Sequence, residues 1–269
     1  MQISLTGKRA FVSGASSGIG RQCAIDLAAA GCDVVVHGRD RDRTEDTAGE
    51  VRKLGREAVV AIGDLATDDG AAAVVEASFK GFPRVDICVN NAGVSLRQDD
   101  PTWDQLTIQD WIDSLQVNFL ASIRMGQAFY PGMKEQGWGR IINISTLGAV
   151  IPGLLTDYTA SKTALNKLTL DMAKQCGPSG VTVNAILPGT IWTAAIDRYL
   201  QVLNDQRGWG TDDLGERQKR YLSEVFPQPI QRLGEPHDIG ALVVFLSSDH
   251  AGYVTGALIK CDGGLSPSV

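Results

Sequence analysis

The sequence predicts an α/β protein, a doubly wound parallel sheet of about seven strands with helices on both faces. Three observations predict it. Short β-rich runs alternate with amphipathic stretches along nearly the whole chain, the order in which the strands and crossover helices of a parallel sheet follow one another. The helical stretches carry the expected stop signals, Gly31 after Ala28-Ala29-Ala30 and Gly177-Pro178 after the run that holds Tyr158 and Lys162. A glycine-rich turn joins the first strand to the first helix, and glycine there lets the backbone turn tightly.

The strand candidates are 9–13, 34–37, 58–62, 85–90, 140–144, 182–187 and 257–261. The chain has 269 residues, 43% of them apolar, which suffices for one large core. No internal repeat, low-complexity tract or Ser/Pro-rich linker interrupts it, so residues 1–269 are expected to form a single domain. With 25 basic against 31 acidic residues the net charge is −6, which argues against nucleic acid or an anionic membrane and for a small-molecule partner. The five cysteines are scattered, with no CxxC pair and no histidine near enough to complete a metal site, and read as reduced core thiols. Nowhere do about 18 apolar residues run uninterrupted, and no charged flank leads into a long apolar run at the start. A soluble cytoplasmic protein is expected.

Taken in order, the first chemical feature is Ser13-Gly14-Ala15-Ser16-Ser17-Gly18-Ile19-Gly20, which leaves a strand and enters a helix. The helix start offers unpaired amides and the positive end of a dipole to a pyrophosphate, so Gly14, Ser16, Ser17, Gly18, Ile19 and Gly20 form a candidate dinucleotide cradle. At the end of the second strand stand Gly38 and Arg39 where an acid would bind a ribose diol. An arginine suits a 2′-phosphate, which favours NADP(H) over NAD(H); the alternative is that Arg39 opens the solvated run 39–46. Asp64 and Leu65 end the third strand, placing a carboxylate either on an adenine amino group or at a helix cap. Asn90-Asn91-Ala92-Gly93 follows the fourth strand; its amides can tie the sheet end together while Ala92 and Gly93 let backbone lie against a ribose.

Asn118 lies in the helical run 111–128 among apolar neighbours, where a buried amide needs a partner. Ser145 ends the strand 140–144, where a hydroxyl could meet a substrate oxygen. Tyr158 and Lys162 are four apart in a helical stretch and share a face. A cation beside a phenol stabilises the phenolate and brings proton transfer within reach of neutral pH.

Together these motifs, with Pro188-Gly189 after a strand and the tail from Arg232-Leu233-Gly234-Glu235-Pro236 to Asp262-Gly263-Gly264, resemble the short-chain dehydrogenase/reductase family over nearly the whole chain. The resemblance implies a Rossmann fold in which Tyr158 is the acid/base, Ser145 orients the substrate oxygen, Lys162 also binds the nicotinamide ribose, and Asn118 holds a water for proton relay. It places the backbone of Ile191 and the hydroxyl of Thr193 near the nicotinamide carboxamide, with Pro188 and Gly189 also among the cofactor contacts. It implies a substrate lid at about 190–229, where Trp192, Tyr199 and Trp209 either line a pocket or serve as lid core or subunit contacts. It also implies a homo-oligomer, tetramer or dimer. Two departures stand out: Thr146 follows Ser145 where a second serine is frequent, and Asp157 precedes Tyr158, where it either caps the helix, the favoured reading, or contacts a polar substrate.

The function expected is hydride transfer between NADP(H) and a secondary alcohol or ketone of a cyclic or bulky small molecule of sugar, steroid or terpenoid type. A 3-oxoacyl thioester reductase is the alternative, for which Arg198, Arg207, Arg217, Lys219 and Arg220 would offer an acidic carrier protein a basic surface. A non-catalytic dinucleotide-binding scaffold is the third reading, disfavoured by the intact Ser, Tyr and Lys set.

Overall fold

The computed structural model describes residues 3–94, 101–153 and 155–266. Seven strands, β1 (Arg9–Val12), β2 (Asp33–Gly38), β3 (Ala58–Ile62), β4 (Ile87–Asn90), β5 (Gly139–Ile144), β6 (Val181–Pro188) and β7 (Leu258–Cys261), form one sheet. Their spatial order is β3-β2-β1-β4-β5-β6-β7, and every neighbouring pair is parallel. All seven expected strands are present, with ends within two residues of those read from the sequence.

Parallel strands need crossovers, and helices supply them. They are α1 (Gly18–Ala29), α2 (Arg41–Lys53), α3 (Asp68–Gly81), α4 (Ile108–Leu115), α5 (Ala121–Gln136), α6 (Thr156–Cys176), α7 (Ala194–Arg207), α8 (Leu214–Arg220) and α9 (Pro236–Ser247). Because successive strand residues face opposite ways, each strand feeds two cores. Val12, Val34, Val36, Val89 and Ile142 pack with Leu27 of α1, Val51 of α2 and Val243 of α9. Phe11, Val35, Cys88 and Ile141 pack on the other face with Val74 of α3, Phe129 of α5 and Ala173 of α6. Each fully buried side chain of valine or leucine size contributes about 1.5–3 kcal/mol.

The cysteines behave as read: Cys23, Cys32, Cys88 and Cys176 are buried free thiols, and Cys261 is half-buried. The run 111–128 departs from expectation. A π-helical turn, Gln116–Leu120, separates α4 from α5, and Asn118 sits at its middle. A residue inserted into a helix in this way re-aims a side chain, and such turns gather at functional sites. The chain order of the sheet reverses between β1 and β4, so the crevice at their carboxyl ends is where an open α/β sheet admits a ligand.

Candidate active site

The glycine turn is gripped from below. The Ser13 hydroxyl accepts the backbone N–H groups of Asn91 and Ala92, both at 2.9 Å, and the Asn91 side-chain amide donates to the carbonyls of Ser13 (2.9 Å) and Gly14 (3.2 Å). Only glycine fits such a grip. Gly14 has φ +64°, and a Cβ there would stand 3.0 Å from Ala92 Cα; a Cβ on Gly20 would strike Asn91 Nδ2 and the Gly14 carbonyl. The start of α1 is left open for an anion. Asp40, Thr67, Thr107, Thr193 and Asp213 cap α2, α3, α4, α7 and α8 with their side chains, whereas Ser17 makes no cap bond and the first turn of α1 holds no acid. An uncapped helix start beside a glycine turn fits a pyrophosphate.

A groove of about 250 Å³ continues from this turn, lined by Ser16, Ser17, His37, Arg39, Asp64 and Leu65 among others, and reaches Ala92, Gly93 and Val117. Arg39 and Asp64 face each other across it at 3.8 Å, both largely exposed. A pair so exposed holds by about 0–1 kcal/mol, so a phosphate can displace the carboxylate from the guanidinium. Asp64 also accepts from the Ala66 N–H at 3.0 Å, and Arg124 of α5 donates to the Leu65 carbonyl at 3.2 Å. The carboxylate is thus a turn residue as well as a wall of the groove. The helix it precedes is capped by Thr67 instead.

β5 and α6 deliver the reactive side chains. Tyr158 and Lys162 point into one space, the ammonium 6.0 Å from the centre of the phenol ring. Asn118 joins them: a Cβ on Gly93 would stand 2.7 Å from Lys162 Nζ and 2.8 Å from Asn118 Oδ1. Asn118 Oδ1 accepts the Val94 N–H at 2.8 Å, and its Nδ2 donates to the carbonyls of Val94 (3.1 Å) and Ser114 (3.0 Å). The π turn therefore serves to press this amide against the chain leaving β4.

The Lys162 ammonium is buried and donates to the Ile144 carbonyl at 2.8 Å, and burial lowers its pKa to about 8. Burial raises the Tyr158 phenol to about 12, against the opposing pull of a hydrogen bond with the Thr146 hydroxyl. The sequence led us to expect a phenol lowered by its lysine. In the folded chain the ammonium is held on a backbone carbonyl, desolvation dominates, and the phenol stays protonated at neutral pH.

Two hydroxyls end β5, and adjacent residues of an extended chain point opposite ways. Ser145 turns its hydroxyl to the Lys162 carbonyl at 3.4 Å, and Thr146 is the one that reaches Tyr158. The Thr146 oxygen also accepts the Gly148 N–H at 3.3 Å. Spacing from Tyr158 points to Ser145, and the structure sets Thr146 beside it as a second hydroxyl, one that acts on Tyr158.

A sequence model described as enoyl-(acyl carrier protein) reductase matches residues 14–266. The chain is a short-chain dehydrogenase/reductase. It is 36% identical over 267 residues to an L-rhamnose 1-dehydrogenase (NAD(P)(+)) of Azotobacter vinelandii, with 97% of each chain covered. It is 34% identical over 264 residues to a 3-oxoacyl-[acyl-carrier-protein] reductase of Pseudomonas aeruginosa, covering 98% of this chain and 99% of that one. Its fold superposes on the crystal structure of L-sorbose reductase from Gluconobacter frateurii, complexed with NADPH and L-sorbose, with a TM-score of 0.90 at 30% identity and all of both chains covered. As a short-chain dehydrogenase/reductase it is an NAD(P)-dependent oxidoreductase acting on CH–OH and C=O groups.

The remaining expected contacts of this dehydrogenase/reductase lie after β6. Gly189 N–H donates to the Cys261 carbonyl at 3.0 Å, Ile191 is buried, and Thr193 caps α7 and lies against the glycine turn, 3.4 Å from a Cβ built on Gly18. Beyond it α7 and α8 form the two short helices read from the sequence, broken at Gly208-Trp209-Gly210. Trp209 belongs to their own core with Leu200, Leu203, Tyr221 and Leu222, its Nε1 donating to Glu224 at 3.0 Å. Tyr199 meets Tyr221 edge-on, while Trp192 is 43% exposed. Of the three aromatics Trp192 is exposed, Tyr199 half-buried and Trp209 buried. Asp157 does not cap α6; the helix starts at Thr156, its cap is Leu155 at φ 58°, and Asp157 is buried in the first turn. Among the described residues Leu155 is the one non-glycine residue with positive φ, a strain of about 1–3 kcal/mol three residues before Tyr158.

Proposed function

We infer that the protein is an NADP(H)-dependent reductase of a ketone, or dehydrogenase of the matching secondary alcohol, on a small polyhydroxylated molecule of sugar type. The observation that carries this reading is the meeting of Lys162 and Asn118 at Gly93, with Tyr158 facing Lys162 and Thr146 acting on Tyr158, at the inner end of a groove that begins at an uncapped helix start. Residues 1–269 act as one unit, with 190–229 as the lid over the nicotinamide end.

Gly14, Ser16, Ser17, Gly18, Ile19 and Gly20 hold the pyrophosphate, Arg39 the 2′-phosphate, Asp64 and Leu65 the adenine, and Asn91, Ala92 and Gly93 the ribose side of the groove. Pro188, Gly189, Ile191 and Thr193 position the carboxamide. Bound NADPH supplies the hydride. Tyr158, held protonated, donates its phenolic proton to the carbonyl oxygen as that oxygen gains negative charge, and the product is the alcohol. The Thr146 hydroxyl faces the same oxygen and orients it, while Lys162 stabilises the phenolate left behind. Ser145 stays on the Lys162 carbonyl and steadies α6. Asn118 is a positioning residue that grips Val94 and so fixes Gly93 beside Lys162.

The NADPH and L-sorbose bound by one structural relative and the L-rhamnose of another's name support the sugar-type substrate. The carrier-protein reading is weakened by the lid's own pairings: Arg217 is bound to Gln201 and Asp197, and Arg220 to Glu216. A homo-oligomer built through the α9 and β7 side is supported by the fully exposed Tyr253, shortly before β7, and by the half-buried Leu242 and Phe245 of α9. Among the described residues no helix is long and apolar enough to cross a membrane. Consumption of NADPH with ketoses, aldoses, steroids and 3-oxoacyl thioesters as candidate substrates tests the reading; turnover of thioesters alone overturns it in favour of the acyl reductase, and turnover of nothing in favour of a scaffold.

A further inference from the structure

His37 is the next-to-last residue of β2, on the face that Phe11 and Val35 make apolar, and it is 2% exposed. An aliphatic or aromatic residue would fill such a place without needing partners. Instead the ring joins two loops. The Gly14 N–H donates to His37 Nδ1 at 3.1 Å, and His37 Nε2 lies 3.1 Å from the Gly63 carbonyl. An amide N–H can only donate and a carbonyl can only accept, so a single form satisfies both: the neutral ring with its proton on Nε2. Burial lowers the pKa of the ring to about 4, with Asp64 opposing and Arg39 assisting, so the acceptor persists at neutral pH. These two are the charged groups that act on it.

The two loops are the opposite walls of one groove. Gly14 opens the phosphate turn, and Gly63 immediately precedes Asp64 and Leu65. The His37 carbonyl accepts the Ala15 N–H at 2.7 Å, so one residue holds two successive amides of the turn. The Gly14 peptide is then fixed at both ends, its N–H by His37 from β2 and its carbonyl by Asn91 from beyond β4. The spacing is defended on the far side too, since a Cβ on Gly38 would strike Thr44 and approach Ser16 Cβ to 3.1 Å.

We propose that His37 is a positioning residue for the adenosine half of the cofactor, its Nε2-protonated ring setting the distance between the phosphate turn and the adenine wall. The proposal rests on the dinucleotide reading above. Three measurements test it. Titration of wild type, His37→Phe and His37→Gln with NADPH and with 2′,5′-ADP should show His37→Phe weakened about tenfold or more for both ligands, the loss expected when a buried N–H is left without its acceptor. His37→Gln, which offers one acceptor and one donor, should recover part of that affinity, and the KM for NADPH should change more than kcat in both. Side-chain ¹⁵N NMR of wild type should show one histidine, absent from His37→Gln, as the pure Nε2–H form with no titration near neutrality and with shifts on adding 2′,5′-ADP. An Nδ1–H ring, or 2′,5′-ADP affinity of His37→Phe within about twofold of wild type, overturns the proposal. If wild type binds neither ligand, the dinucleotide reading itself falls. If wild type binds and the variants match it, only the role of His37 falls.

Discussion

The two halves of the groove are built by opposite means. At the phosphate end the groove is mostly main chain: glycine amides, carbonyls and a helix start, with the side chains of Ser13, His37 and Asn91 bracing that backbone. At the reacting end backbone only supports, and the working atoms are the ends of Tyr158, Thr146, Lys162 and Asn118. The difference teaches where each kind of damage should appear. Faults at the main-chain end reach affinity through geometry, because nothing there reacts. Faults at the side-chain end reach the rate through proton position, because little there grips the nucleotide.

Tyr158→Phe is the strongest test of that division. Turnover should fall by about 10²–10⁴-fold while the NADPH dissociation constant changes little, as stopped-flow turnover and fluorescence titration would show. A comparable loss of affinity would break the comparison. Next in size is the contrast between the neighbouring hydroxyls. Thr146→Val should lower kcat by about 10- to 100-fold, the value of one hydrogen bond to a charged oxygen, and Ser145→Ala by much less. The reverse order in steady-state kinetics would return the orienting role to Ser145.

At the other end, Gly20→Ala drives a methyl group into Asn91 and the Gly14 carbonyl. Overpacking of this sort costs about 1–3 kcal/mol and should be read in a raised NADPH Kd together with a lower urea midpoint. Arg39→Ala is smaller and more selective: about tenfold weaker NADPH with NADH unaffected, by competition titration. Equal weakening of both would assign Arg39 to the solvated run rather than to the 2′-phosphate. The smallest expected change concerns pH. Lys162 carries its charge below about pH 8, so reduction should slow as pH rises through that value. A pH–rate profile flat from 7 to about 9 would remove the lysine from the proton step.

What the sequence disclosed follows the same division. The phosphate end was readable because its tight geometry leaves glycines in the text: a Cβ on Gly14 or Gly20 would meet Asn91, and Gly14 and Gly18 have positive φ. The strands were readable because a sheet buried on both faces writes itself as runs of apolar residues. Ser145 and Thr146 could not be told apart by counting back from Tyr158, since the choice depends on which face each residue takes as the chain leaves β5. The Asp157 cap failed for a related reason: the start of α6 is decided by a left-handed Leu155, and leucine carries no signal of it. His37 left one trace, a histidine closing the valine run 34–36, which acquires meaning only when Gly14 and Gly63 are seen on either side.

The π turn at Gln116–Leu120 has a bearing on how this chain can vary. Deleting any one residue from it would restore regular helical hydrogen bonds, yet it would also swing α4 by about 100° relative to α5. The surplus residue is therefore locked in from both directions. A shorter turn would be a better helix around a lost amide, and homologous chains that keep Asn118 facing Val94 should carry the same one-residue surplus however far their other loops drift in length.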